Sequence, residues 1–358
     1  MPLIIEGGRI PARWAEKRAS SIGSQIWHGK CLSLALINNM PDPALEDTEL
    51  QFFELLDIAS GTLPVIVKLY SLTGIPRTER GQRHLNSFYF DFDDLWNSRF
   101  DGVIVTGTEP HQANLQDEPY WATLTELFDW AKESTSSTVL SCLAAHASVL
   151  HGDGIPRHRL PDKQFGVFDS ARKCDDSLTS RIADRIRFPH SRWNEVRANE
   201  LVSCGYTVLT ESVEAGVDLF VKKKKKSLFV HFQGHPEYGA ETLLKEYRRD
   251  IKRFLRHERE TYPTAPAGYF DATAIQRLND FRATAIVDRR EEAAASFPEA
   301  LMIGGLQNSW RSSAASVYRN WLHYLESRKT EAPVFAAMAR SAGPRSTVAD
   351  SEGAQEAV

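Results

Sequence analysis

From Cys31 onward, short runs of β-branched and aliphatic residues alternate with longer stretches in which apolar positions recur every three or four residues. A buried strand reads as a continuous apolar run and an amphipathic helix as a 3.6-residue period, so this alternation predicts a parallel sheet covered by helices. Strands are predicted at CLSLALIN (31–38), LPVIVKLY (63–70), GVIVTG (102–107), TVLSC (138–142), GYTVLTES (205–212), VDLFVK (217–222) and SLFVHFQG (227–234). Helices are predicted at ALEDTELQFFELLDIAS, EPYWATLTELFDWAKES, LAAHASVLHGDGI and AETLLKEYRRDIKRFLRHERE. Beyond Tyr269, AIQRLNDFRATAIVDRREEAAASF and SAASVYRNWLHYLES read as helices with no strand between them. The expectation is an α/β fold: a doubly wound, mostly parallel sheet flanked by helices over residues 31–275. An N-terminal extension (1–30) precedes it, a small helical C-terminal lobe (276–329) follows, and residues 330–358, poor in large apolar groups, read as a disordered tail.

Composition narrows the function classes. At 42% hydrophobic and 25% charged residues the chain has an ordinary globular composition, and a net charge of −4 supplies no basic field to gather nucleic acid or an anionic membrane. A small-molecule substrate is expected. The four cysteines, Cys31, Cys142, Cys174 and Cys204, show neither C-x-x-C spacing nor Cys/His clusters, so neither a zinc site nor a disulfide framework is expected. The first thirty residues lack a continuous apolar segment and no later stretch has the apolar length of a membrane span, which points to the cytoplasm. The run Lys222–Lys226, between two strands, reads as a solvated hairpin tip or as a patch attracting phosphates.

Two stretches carry candidate chemistry. In STVLSCLAAHASVLHGDGI a strand runs into Cys142 and small residues then open a helix. A strand-turn-helix junction pushes its turn residue out over the end of the sheet, where the unpaired N–H groups of the helix start favour a thiolate and a developing oxyanion. The alternative is a cysteine buried in a core strand. In SLFVHFQGHPEYGAETLLKEYRRD, His235 and Glu237 follow a strand end, where an imidazole could share the Cys142 proton and a carboxylate could hold its tautomer. The alternative is an exposed His-Pro-Glu turn. Arg248 and Arg249 follow, with either one able to grip a carboxylate or to form a surface ion pair with Glu246 or Asp250. LPDKQFGVF, with Lys163 before a short strand, and FPHSRWNEV, with Ser191 and Arg192 in a polar segment, read as candidate substrate-pocket loops to which composition alone assigns no role.

The chain resembles the homoserine O-succinyltransferases and the acetyltransferases of the same family. The resemblance is carried by NNMPDPALEDTELQFFELL, FYFDF, FDGVIVTG, EPYW, the Cys142 elbow, KQFGVF, FPHSRW, GHPEYGAETLLKEYRRD and NWLHYL, in that order over about residues 38–325. It implies a class I glutamine-amidotransferase-like fold and a ping-pong reaction in which Cys142 takes an acyl group from acyl-CoA and the hydroxyl of L-homoserine accepts it, in methionine biosynthesis. By motif position His235 is implied as the general base and Glu237 as its partner, with Lys163, Ser191 and Arg249 as substrate-binding residues. Acyl-CoA is then a co-substrate, with no bound cofactor and no metal, and a homodimer is one possible assembly.

The departures bear on specificity. MPDP stands where relatives carry a lysine soon after Met-Pro, Leu143 follows the nucleophile where many have Trp, and TGTEPHQANL replaces a TGAP loop. In the family a glycine at the selecting position goes with succinyl-CoA and a glutamate with acetyl-CoA; here His111 stands there, beside Glu109. A carboxylate in the acyl pocket repels the free carboxylate of a succinyl group. His111 favours succinyl-CoA if it pairs with that carboxylate, whereas Glu109 in the pocket favours acetyl-CoA. Succinyl-CoA is the favoured reading. Acetyl transfer, a serine acceptor, a glutaminase-like cysteine hydrolase and a non-catalytic relative are the alternatives.

Overall fold

The computed structural model describes residues 3–7, 12–18 and 31–341. Its strands are β1 (Leu3–Ile5), β2 (Leu32–Ile37), β3 (Val65–Tyr70), β4 (Gly102–Val105), β5 (Ser137–Ser141), β6 (His158–Arg172), β7 (Arg185–Glu195), β8 (Thr207–Val208), β9 (Thr210–Ser212), β10 (Gly216–Val217), β11 (Leu219–Lys224) and β12 (Ser227–Phe232). Among the described residues eight of them form one sheet in the order β1-β3-β2-β4-β5-β12-β11-β8, and β10-β9-β6-β7 form a second. From β1 to β12 the neighbours in the large sheet are parallel, while β11 runs antiparallel to both β12 and β8.

The large sheet winds both ways. β3 lies on one side of β2 and β4 on the other, so the winding reverses at β2 and the carboxyl ends of the central strands open onto a crevice. The core strands are buried almost throughout because both faces are covered, which is why they read as unbroken apolar runs. On one face lies the helix Asp42–Ser60, whose buried Leu45, Phe52, Phe53, Leu56 and Ala59 recur at helical spacing. Asn39, at the end of β2, accepts from the Leu72 N–H at 3.0 Å and donates its own N–H to Thr106 Oγ1 at 2.8 Å, tying together the ends of three strands.

Three expectations are corrected. KQFGVF and FPHSRW are not loops: they lie on β6 and β7, which pair antiparallel with Phe165 opposite Ser191. GYTVLTES splits at Leu209, with β8 joining the large sheet and β9 the small one. The lysine run is only partly a hairpin tip, because Lys222 and Lys224 belong to β11 and both bond Asp153, while Lys225 at the turn pairs with Glu133 at 2.7 Å.

The C-terminal helices share the core of the sheet. Trp310, Tyr318, Trp321, Leu322 and Leu325 belong to the same buried cluster as Leu34 and Val139. The helix Arg311–Ser341 continues into the stretch expected as a tail, and residues 342–358 lie outside the described residues. Of the expected N-terminal extension, β1 pairs with β3 and the helix Ala12–Arg18 is also described. Among the described residues no helix is long and apolar enough to cross a membrane.

Leu325 is fully buried, and a Cβ added at Gly102 of β4 would lie 2.8 Å from its Cδ1. Leu325→Ala should therefore lower the unfolding free energy by about 2–5 kcal/mol in a urea titration. A change below about 0.5 kcal/mol, the level of an ordinary surface substitution, would show that the last helix is not part of the cooperative core.

Candidate active site

Cys142 stands between β5 and the helix Leu143–Asp153 with φ 51° and ψ −108°, a conformation that L side chains rarely adopt. Backbone strain of this kind costs about 1–3 kcal/mol and persists where the surroundings fix it. Here the Cys142 N–H donates to the Phe232 carbonyl at 2.7 Å and the Cys142 carbonyl accepts from His146 N–H at 3.2 Å. The chain therefore has to turn at residue 142, and its partly exposed thiol is carried to the carboxyl end of the sheet. A Cβ at Gly107, just beyond β4, would come within 3.2 Å of the Leu143 nitrogen. Glycine there keeps the approach to that first-turn N–H open, as an oxyanion site requires.

His235 arrives from the neighbouring strand. β12 pairs with β5 so that Phe232 lies opposite Ser141, and three residues later the His235 N–H donates to the Pro189 carbonyl at 2.7 Å. The ring stacks on Tyr238, centroids 4.2 Å apart, and its Nδ1 lies 2.9 Å from Glu237 Oε1, which also accepts from Ser141 Oγ at 3.3 Å. The same imidazole lies near enough to the Cys142 side chain to interact with it electrostatically. Burial opposes charge on His235, but Glu237 and then Cys142 override it and hold its pKa well above the ordinary histidine value. Glu237 thus does two things: it fixes Nδ1 as the donor and it favours the imidazolium.

Behind Tyr238 lies a second cluster. The helix Thr242–Leu255 presents Glu246 and the buried Asp250 on the same side as Leu243 and Tyr247. Glu246 accepts from Ser191 Oγ and from Tyr238 Oη at 2.8 Å, and Lys163 Nζ reaches Glu246 at 3.3 Å and Asp250 at 3.2 Å. Arg249 pairs with Asp250 at 3.0 Å while nearly half of its side chain stays exposed. Burial works against the Glu246 charge, yet Lys163, the Ser191 hydroxyl and Arg249 keep its carboxyl below the usual range. Two cations and two carboxylates in alternation match a zwitterion, the form of a free amino acid.

The family described as homoserine O-succinyltransferase matches residues 18–332. The chain is 44% identical over 298 residues to the homoserine O-succinyltransferase of Rhodopseudomonas palustris, covering 83% of this chain and 89% of that one. It is 43% identical over 295 residues to that of Bradyrhizobium japonicum, covering 82% and 90%.

The chain belongs to the homoserine O-succinyltransferase family.

Among solved structures it is similar to a glutamine amidotransferase from Thermotoga maritima, with 13% identity, a TM-score of 0.44, and coverage of 83% of this chain and 99% of that one. As a member of the family the protein is an acyltransferase.

The structure brings Cys142 beside the hydrogen-bonded pair His235–Glu237 and gathers Lys163, Ser191 and Arg249 around Glu246 and Asp250. Arg248, the other candidate arginine, points away to an ion pair with Glu299. Glu109 is half exposed and lies 3.7 Å from Arg253, and the exposed His111 is held by its backbone, whose N–H donates to Glu118 at 2.6 Å. Glu246 and Asp250 pair with the half-exposed Arg249, as one alternative held, while Glu246 is partly and Asp250 largely buried against Lys163. Sequence reasoning missed Tyr238 and Gly107. Acids on the apolar side of the 242–255 helix were the available signal for the cluster, whereas nothing local marks the Tyr238 stack.

Replacing Glu237 by Gln removes the charge that raises His235. The imidazolium should then lose its proton at lower pH, by about one unit or more, with acyl transfer reduced about 10²–10⁴-fold. An NMR titration of the His235 ring, assigned against His235→Asn, reads the first effect. An unchanged midpoint would remove Glu237 from this role.

Proposed function

We propose that this protein moves a succinyl group from succinyl-CoA to the hydroxyl of L-homoserine through an acyl-Cys142 intermediate. The observation that carries the reading is the series Cys142–His235–Glu237, in which a strained elbow presents the sulfur to an imidazole whose other nitrogen is held by a buried carboxylate. The names of the relatives support the substrates.

The thiolate of Cys142 attacks the thioester carbonyl and the oxygen gathers negative charge. The Leu143 N–H, at the start of its helix, is placed to receive that charge. Collapse of the tetrahedral species breaks the bond to the coenzyme A sulfur, which leaves with the proton carried by His235. The protein now holds a thioester on Cys142 and a neutral imidazole. Homoserine enters with its ammonium toward Glu246 and Asp250 and its carboxylate toward Arg249 and Lys163, which exchange part of their mutual pairing for the ligand. His235 then takes the hydroxyl proton as the oxygen attacks the thioester, and the Cys142 thiolate is released beside the imidazolium that Glu237 stabilises. Acyl-CoA is consumed as a co-substrate, and each step is carried by these side chains.

For the donor, the position of Glu109 favours succinyl over acetyl. Its carboxylate is drawn toward Arg253 on the surface of the 242–255 helix, which weakens the repulsion it would exert in the acyl pocket.

Supplying succinyl-CoA without acceptor should leave a succinyl adduct on Cys142, detectable by mass spectrometry and absent in Cys142→Ala. An enzyme that turns over with no adduct under those conditions would exclude the ping-pong route. Arg249→Gln should raise the homoserine KM about 100-fold while the rate of Cys142 acylation stays within a few fold, because the residue contacts only the acceptor. Equal losses in both half-reactions would place Arg249 elsewhere.

A further inference from the structure

Two guanidinium groups lie close enough to Cys142 to feel its charge, and their hydrogen bonds are spent differently. Arg192 is 4% exposed and its donors are occupied: Nη1 reaches the Asn194 carbonyl at 2.8 Å, Nη2 the Ala215 carbonyl, and Nε the His190 Nδ1 at 3.3 Å. It is a fixed part of the second sheet. Arg157 is half-buried and uses one group, Nη2, on the Ala113 carbonyl at 3.2 Å. Among the described residues no carboxylate lies within ion-pair distance of it.

Glu118 acts on Arg157 through space, its Oε2 buried without a hydrogen bond, but stays outside ion-pair contact. Glu118 gives Oε1 to the N–H groups of His111 and Gln112, at 2.6 Å each, and Glu109 lies against Arg253. Burial depresses the Arg157 pKa more than Tyr120 and Glu118, acting through space, restore it, as for a cation held partly out of water with no carboxylate in ion-pair contact. Such a group is costly unless a ligand supplies the opposite charge. Its placement says which ligand. Ala113 belongs to the loop that begins at Gly107, and the backbone at Gly107 packs against the Leu143 nitrogen next to the nucleophile. Arg157 therefore ties the chain just past the helix that starts at Cys142 to this loop.

We infer that Arg157 is the receptor for the free carboxylate of a dicarboxylic acyl group held on Cys142. This rests on the acyl-cysteine reading above and deepens it, by naming the residue that tells succinyl from acetyl. The distal carboxylate of a succinyl group stands a two-methylene arm beyond the thioester, and the spare N–H groups of a guanidinium match it in a planar fork. An acetyl group brings nothing to that fork and leaves the cation unpaired.

The test compares the rates of Cys142 acylation by succinyl-CoA and by acetyl-CoA, followed by mass spectrometry, in the wild type, Arg157→Gln and Arg157→Lys. The ratio of succinyl to acetyl rates should fall about 100-fold in Arg157→Gln, the size of a lost charge-assisted contact, and recover in part in Arg157→Lys. Free succinate should inhibit acylation of the wild type and lose that potency in Arg157→Gln. A parallel fall with both donors overturns the inference and makes Arg157 a brace for the Ala113 loop; an unchanged ratio overturns it outright. Absence of any succinyl adduct on wild-type Cys142 removes the acyl-cysteine reading and this one together. An adduct with an unaltered ratio removes this one alone. Thermal unfolding of the three proteins separates a misfolded variant from a selective one, and the Lys variant keeps the test open if Gln does not fold.

Discussion

The last rung of the ladder between β5 and β12 governs the site. Ser141 lies opposite Phe232, and the Cys142 N–H is given to the Phe232 carbonyl at 2.7 Å. That bond closes the strand pairing and also holds the next residue in its positive-φ turn, so one contact sets both the strain at the nucleophile and its distance from the chain that delivers His235. Side chains alternate along a strand, and a slip of one residue between β5 and β12 would turn each of them to the opposite face. Both strands are buried on two sides, so the core fixes the register, and the register fixes the chemistry.

The charges are arranged in two tiers that meet at Tyr238. In the first, Glu237 sustains an imidazolium beside a thiol; in the second, Glu246 and Asp250 are sustained by Lys163 and Arg249. Tyr238 stacks on His235 and donates its hydroxyl to Glu246, so the ring that packs on the imidazole is itself anchored in the Glu246–Asp250 cluster. A neutral phenol suits the junction: burial, with Glu246 and Glu237 nearby, holds its proton firmly, so it adds a donor without adding a charge.

The parts legible in the sequence were those decided by local pattern. The apolar runs at 31–38, 102–107 and 227–234 became strands because both faces of the sheet are covered, and Cys142 and His235 were found because each follows such a run. KQFGVF and FPHSRW were read as loops because their burial depends on each other: paired across β6 and β7 they bury Phe165, Val167 and Phe188, and singly neither shows a clean period. The lysine run misled for a related reason. Lys222 and Lys224 alternate with Lys223 along a strand and two of the three fold back onto Asp153, a partner sixty-nine residues away from the first of them. Charge composition marks a surface unless a distant acid turns it inward. Lys163 and Ser191 gained a role, and Arg249 was chosen over Arg248, only through resemblance, since nothing in their own neighbourhoods marks a common partner.

The C-terminal helix, with Trp310 just before it, makes the same point about distance from the side of packing. Trp310 Nε1 donates to the Tyr238 carbonyl at 2.8 Å, Tyr318 stacks on Phe232, and Trp321 Nε1 donates to Ser137 Oγ at 2.9 Å. These contacts fall on the loop carrying the stacked tyrosine, on the end of β12 and on the start of β5. The helix therefore spans the two strands that meet at the nucleophile and braces them from behind, with large apolar side chains supplying the energy and two indole N–H groups supplying the registration. A segment that reads in sequence as an appendage is, in the folded molecule, the back wall of the catalytic strands. Its tryptophans act on the strands that end at Cys142 and His235.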